Sequence, residues 1–249
     1  MCDLVPITLR DLCEATKDFQ RLEQRGSFYD MAMELVGAGF EIEGCVLFLA
    51  TWNFASFRYA VTDFDIDGLK HLVCDELGDE FAALGTRTIQ NIDLDEHGSR
   101  IERVFNRLAS MKEVLFTGAT KLMHLKCPTT FVIWDDYIRG GKPKKLYGRL
   151  PCVALRKWRF KQYEKTGRGY VSFLRDIQTR FCHLHFPDGP KTLAKAIDEF
   201  NYVNITLPIQ RMEADHKAKK NNEHRRKKDA LRRLSRKRTA DELERLASQ

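Results

Sequence analysis

Lys121 and Asp135 are two residues of this chain whose types and spacing suit covalent chemistry on a sugar. They lie in "TGATKLMHLKCPTTFVIWDDYIRGG", residues 117–141, which joins a glycine, a lysine, an apolar run and two adjacent aspartates. A lysine amine can attack a sugar carbon and form a Schiff base. A carboxylate can stabilise an oxocarbenium-like sugar or activate water. Those two functions together are what cleavage of an N-glycosidic bond requires. Asp136 competes with Asp135 for the carboxylate role. Taken singly, Lys121 reads as an exposed helix lysine, and Asp135 as an N-cap worth about 1 kcal/mol.

The elements that must position this pair are helical. Apolar spacing predicts helices at 7–24 and 29–36, the second stopped by "GAGF". Residues 43–59, "EGCVLFLATWNFASFRY", are apolar nearly all round and read as one buried central helix. Shorter helical pieces are expected at 68–77 and 80–84. Ser99 is read as the cap of a clear amphipathic helix over 100–112, with Ile101, Val104, Phe105 and Leu108 on one face. A short helix over 119–126 follows, ended by Pro128. "TTFVIW" is read as extended, with Asp135 capping a helix that runs to Arg139. Further helices are expected at about 152–165, 169–183 and 190–203. These readings make residues 1–207 one all-α domain and residues 208–249 a basic tail, helical or disordered.

The 249 residues carry a net charge of +7, and that charge is sorted along the chain. Residues 1–138 hold 13 Lys and Arg against 23 Asp and Glu. Residues 139–168 hold 11 basic residues against Glu164 alone, and residues 211–239 hold 13 against 4. Two basic blocks point to a polyanionic partner, with nucleic acid leading. The seven cysteines are scattered and form no CxxC pair, which argues against a disulfide framework or a zinc ribbon. "DFDIDG" (Asp63 to Gly68) has Cys74 where a calcium loop needs glutamate, so a capping turn is the better reading. "CHLH" (Cys182 to His185) has no second cluster to complete a metal site. No metal and no cofactor are expected. No apolar run reaches membrane length, and the start lacks a basic leader region. The expectation is a monomer in the cytoplasm or nucleoid, or in the nucleus of a eukaryotic host.

At "GATK" and "FVIWDDYI" the chain resembles the helix-hairpin-helix DNA glycosylase superfamily, the group of endonuclease III and the 8-oxoguanine glycosylases. The likeness covers residues 100–141. It implies a fold in which a hairpin, formed around Gly118, Ala119 and Thr120, directs backbone N–H groups at a DNA phosphate. It places Lys121 at the catalytic lysine and Asp135 at the catalytic aspartate. Ala119 stands where the family carries a second glycine, and the cysteine cluster of endonuclease III is absent. A DNA glycosylase flips its target base into a pocket; Trp52, Asn53, Phe57 and Trp134 are the candidates for its lining. Lys142, Lys144, Lys145, Arg149 and the tail would hold double-stranded DNA. A lyase step would accompany excision if Lys121 attacks. The alternative is a non-catalytic nucleic-acid-binding protein that keeps the same fold and uses Asp135 only as a cap.

Overall fold

The computed structural model describes residues 6–147, 150, 162–187 and 191–247, and their side chains except at 55, 56, 60, 61, 144, 145 and 230–247. Among them the chain is all-helical and has no strand. It divides into two units, Met1–Leu207 and Pro208–Gln249. The first carries α1 (Leu9–Leu22), α2 (Gly26–Gly37), α3 (Glu41–Trp52), α4 (Phe54–Ala60), α5 (Ile66–Lys70), α6 (Gly78–Gly85), α7 (Gly98–Ala109), α8 (Leu115–Lys126), α9 (Lys144–Tyr147), α10 (Gly167–Phe181) and α11 (Leu193–Asn201). The second is the 41-residue α12 (Leu207–Ala247). Wider π turns occur at His71–Glu76 and Tyr202–Thr206.

Local chemistry explains several boundaries. Thr8 and Asp11 form a reciprocal capping box that opens α1 and turns Leu12, Ala15 and Phe19 inward. Asp65 of "DFDIDG" accepts from the Gly68 N–H at 2.8 Å, so that motif is a cap. α2 and α3 fold back through Gly39, whose φ of +88° suits glycine. They pack closely because Gly44 has no Cβ; one would lie 2.8 Å from the Ala32 carbonyl oxygen. The stripe Ile101, Val104, Phe105 and Leu108 buries one face of α7 as its periodicity requires.

Three sequence expectations need correction. The apolar run 43–59 is two helices, because α3 ends where Asn53 turns its amide out of the helical path. That amide donates to the carbonyl oxygens of Val114, at 3.1 Å, and Glu113, at 3.5 Å. α7 starts at Gly98 with His97 at its cap position, so Ser99 is inside the helix. α8 begins at Leu115, four residues earlier than expected, and the turn joining it to α7 is Ser110–Val114. The helix expected at 152–165 falls largely outside the described residues, as does Arg149. No described helix is long and apolar enough to cross a membrane.

Candidate functional site

α8 carries Thr120, Lys121 and His124 into the interior, and α11 buries Lys195, Asp198 and Glu199, the first two within electrostatic reach of His124. All six are buried. The Lys195 ammonium donates to Asp198 at 2.9 Å and lies 3.7 Å from Glu199. It also sits over the rings of Tyr29, Phe19 and Trp52, at 4.5, 4.8 and 5.9 Å from their centroids. Glu199 takes two further bonds from Lys191 and one from Thr16. Buried charges survive only when matched in this way.

A hydrogen-bond chain fixes the neighbouring imidazole. His124 Nδ1 lies 2.6 Å from the Phe131 carbonyl oxygen, which can only accept, so Nδ1 carries the proton. Nε2 then accepts from the Tyr29 hydroxyl at 2.9 Å. Burial pushes His124 down to about 4, so the ring stays neutral. Tyr29, Lys195 and Glu199 also line a cavity of about 530 Å³ with Phe19, Glu23 and Lys191. Glu23 is buried, which by itself raises its pKa. Hydrogen bonds from Arg25 and from the Tyr202 hydroxyl outweigh that and hold it at about 2.

Lys121 is the least expected of these groups. It is not an exposed helix lysine; its ammonium donates to the Trp52 carbonyl oxygen at the end of α3. Burial lowers its pKa to about 8, against the opposing fields of Asp135 and Asp198. Asp135 keeps part of its surface accessible, but both of its oxygens are engaged. One accepts from the N–H groups of Tyr137 and Ile138, each at 2.8 Å, and the other from the Thr206 hydroxyl at 2.8 Å. It therefore caps a single turn, closed by Arg139 N–H to the Asp135 carbonyl, over the span to Arg139 that was expected as a short helix. Burial raises its carboxyl pKa, opposed by those bonds and by Lys121. Among the described residues Lys121 has no carboxylate in direct contact, so the two feel each other only through their fields. Asp136 is a weaker alternative, tied to the guanidinium of Arg139.

These shifts set a pH dependence. Below about pH 8 the Lys121 amine is charged in both the folded and the unfolded chain, and the full burial penalty applies. The penalty is relieved as pH rises from about 8 towards 10.5, where only the unfolded chain still holds the proton. Lys121→Met should therefore stabilise the protein by about 1–3 kcal/mol at pH 7. Chemical denaturation at pH 7 and pH 10 checks this: the gain should shrink at the higher pH, and a loss of stability at pH 7 would refute it.

The remaining sequence candidates divide clearly. Gly118, Ala119 and Thr120 cannot grip a phosphate, because they are buried in the body of α8. The Gly118 N–H is used by the Val114 carbonyl, and Thr120 bonds the carbonyl oxygens of Thr117 and Trp134. Gly118 is glycine because a Cβ there would meet the Asn53 amide at 2.9 Å and Leu49 at 3.1 Å. Trp134 does not line a pocket; it is wholly buried among Phe105, Tyr170, Phe173 and Tyr163. Phe57 is buried against Phe64, and Asn53 serves the α7–α8 turn. Trp52 packs beside Phe19, with the Arg25 guanidinium 4.6 Å from its ring centroid. Lys142 lies over the Tyr137 ring at 4.5 Å. Lys144 and Lys145 lie on α9, and their side chains are outside the described set.

Sequence reading missed the Lys195–Asp198–Glu199 group. The signal was present: in "LAKAIDEF" the charges fall at i, i+3 and i+4, on one face of an otherwise apolar helix. Cys182 at the end of α10 lies 3.8 Å from the Ile89 carbonyl oxygen. Among the described residues no three His, Cys, Asp or Glu side chains are placed to hold a metal ion. The class these features define is an all-helical protein with a buried charged and aromatic centre and a basic C-terminal helix. No protein-family model matches the chain, and no curated protein or solved structure does.

Proposed function

We propose that this chain is a nucleic-acid-binding protein whose C-terminal helix supplies the electrostatic grip. The observation that carries this reading is α12. Every side chain from Ala214 to Asp229 is exposed, and residues 211–239 hold 13 basic residues against 4 acidic. A helix polar on every side has no core of its own to serve. Its exposed cations between Lys217 and Lys228 give a positive surface suited to a phosphate backbone, which rewards each neutralised phosphate by releasing counterions. The basic block at 139–168 adds to the same attraction. The full chain should bind duplex DNA with an affinity that falls steeply and linearly as salt rises on logarithmic axes. Affinity that ignores salt would sink the reading.

A second reading, base excision by a helix-hairpin-helix glycosylase, is favoured by Lys121. An amine lowered to about 8 has an appreciable neutral, nucleophilic fraction near neutral pH, and it lies in the field of Asp135. The reading also draws on the resemblance over residues 100–141, although Gly118, Ala119 and Thr120 lie inside α8 and not in a hairpin turn. The test is release of damaged or modified bases from DNA. Asp135→Asn should abolish release while binding persists. Borohydride trapping of a DNA adduct should rise as pH passes about 8 and vanish in Lys121→Gln. Release unaffected by Asp135→Asn removes that carboxylate from the mechanism.

A further inference from the structure

The outward face of α4 serves none of the roles above. Phe57 pins the helix to the body, its ring 5.2 Å from that of Phe64. Phe54 and Arg58, one helical turn apart, share a different face with Tyr59 beside them. Phe54 is 56% exposed and Tyr59 76%. The Arg58 guanidinium lies 4.6 Å from the Tyr59 ring centroid and 6.0 Å from that of Phe54, and donates to the Tyr59 hydroxyl at 2.6 Å. Among the described residues no carboxylate pairs with Arg58. Two large rings are thus held open to solvent around an unneutralised cation.

Leu115 opens α8, one residue past the carbonyl that Asn53 holds. It is the one non-glycine residue with positive φ, +53°, among those described, and its side chain is 42% exposed. A leucine there crowds its own backbone, and an exposed side chain recovers little by packing. Asn53 ties the two features together, since its amide holds the carbonyls of Glu113 and Val114. Phe54 directly follows Asn53, and Leu115 directly follows Val114. The clamp therefore joins the two chain segments that carry these exposed apolar side chains, one of them on a strained backbone. Strain of this kind, retained where burial does not compensate it, is a pointer to function.

We propose that Phe54, Arg58, Tyr59 and Leu115 form a stacking surface for unpaired nucleobases, by which the first unit engages single-stranded or locally opened nucleic acid. This rests on the nucleic-acid-binding reading above. Every base has a π-face, so open aromatic rings take bases without regard to sequence. A guanidinium stacks on a base and also offers charge to the adjoining phosphate. A leucine is the kind of apolar wedge that fits between separated bases.

The experiment is fluorescence anisotropy of the full chain with a labelled oligothymidylate and, in parallel, a blunt hairpin duplex. Unaltered protein should bind the single strand more tightly than its non-sequence-specific hold on the duplex. Phe54→Ala/Tyr59→Ala should weaken single-strand binding by roughly five- to a hundredfold and leave duplex binding unchanged. Leu115→Gly should weaken single-strand binding yet raise the melting temperature, a combination that a merely structural leucine would not give. Equal affinities for the two substrates in unaltered protein, or no selective loss in the variants, overturns the stacking surface while leaving the nucleic-acid reading intact. So does a lower melting temperature for Leu115→Gly. A change of oligomeric state in the double variant without a change in binding assigns the patch to protein contact and also overturns it. Failure of unaltered protein to bind either substrate overturns both readings.

Discussion

Asp198→Ala lowers the unfolding free energy by about 3–5 kcal/mol. The carboxylate is the close partner of Lys195, at 2.9 Å, and both side chains are nearly inaccessible to water. Removing it leaves an ammonium 5% exposed, with Glu199 at 3.7 Å already serving Lys191 and Thr16. The rings of Tyr29, Phe19 and Trp52 soften the cost but do not replace a hydrogen-bonded counter-charge. Asp198 also sets the field felt by Tyr29, Lys121, His124 and Tyr170. Its loss would therefore lower the Lys121 pKa further. The control is the apolar pair Lys195→Met/Asp198→Leu. Swapping both charges for packed side chains should restore most of the loss, because it removes two desolvation penalties at once. Urea melts of the single and double variants make the comparison. A double variant as unstable as Asp198→Ala would mean that shape, and not unpaired charge, governs this site.

Neutralising Arg225, Arg226, Lys227 and Lys228 together as glutamines weakens duplex DNA binding by roughly a thousandfold near 0.1 M salt. It also flattens the slope of log affinity against log salt by about 3–4. These four residues are exposed on α12, and glutamine keeps helix propensity close to that of lysine and arginine. Circular dichroism should therefore change little while binding collapses. Anisotropy titrations across a salt series provide the measurement. Binding that survives with an unchanged slope would move the grip away from this helix, leaving the block at 139–168 as the next place to test.

The amphipathic stripe of α7, the cap at Asp65 and the helical character of the chain were legible in the residues, because each depends on spacing within a few positions. The charge sorting was equally legible. The segment "TGATKLMHLKCPTTFVIWDDYIRGG" was read correctly in part. Asp135 caps a turn, as aspartate before a short helical turn should. Gly118 was misread as a hairpin glycine because local sequence cannot distinguish a residue needed for a turn from one needed for close approach. Here the requirement comes from Asn53 and Leu49, which are distant in sequence. The amide of Asn53 stood out as an anomaly inside an apolar run, and its partners proved to be carbonyls some sixty positions away.

The sequence by itself determined an all-helical body, a basic tail after it and the sorting of charge along the chain. Each follows from propensity, periodicity and composition, which act along the chain. Tertiary structure alone decided that Lys121 is buried with a pKa near 8, that Lys195 lies among rings carried by other helices, and that Trp134 is core. Burial and field strength depend on what packs around a group, and those neighbours come from elements far apart in the chain.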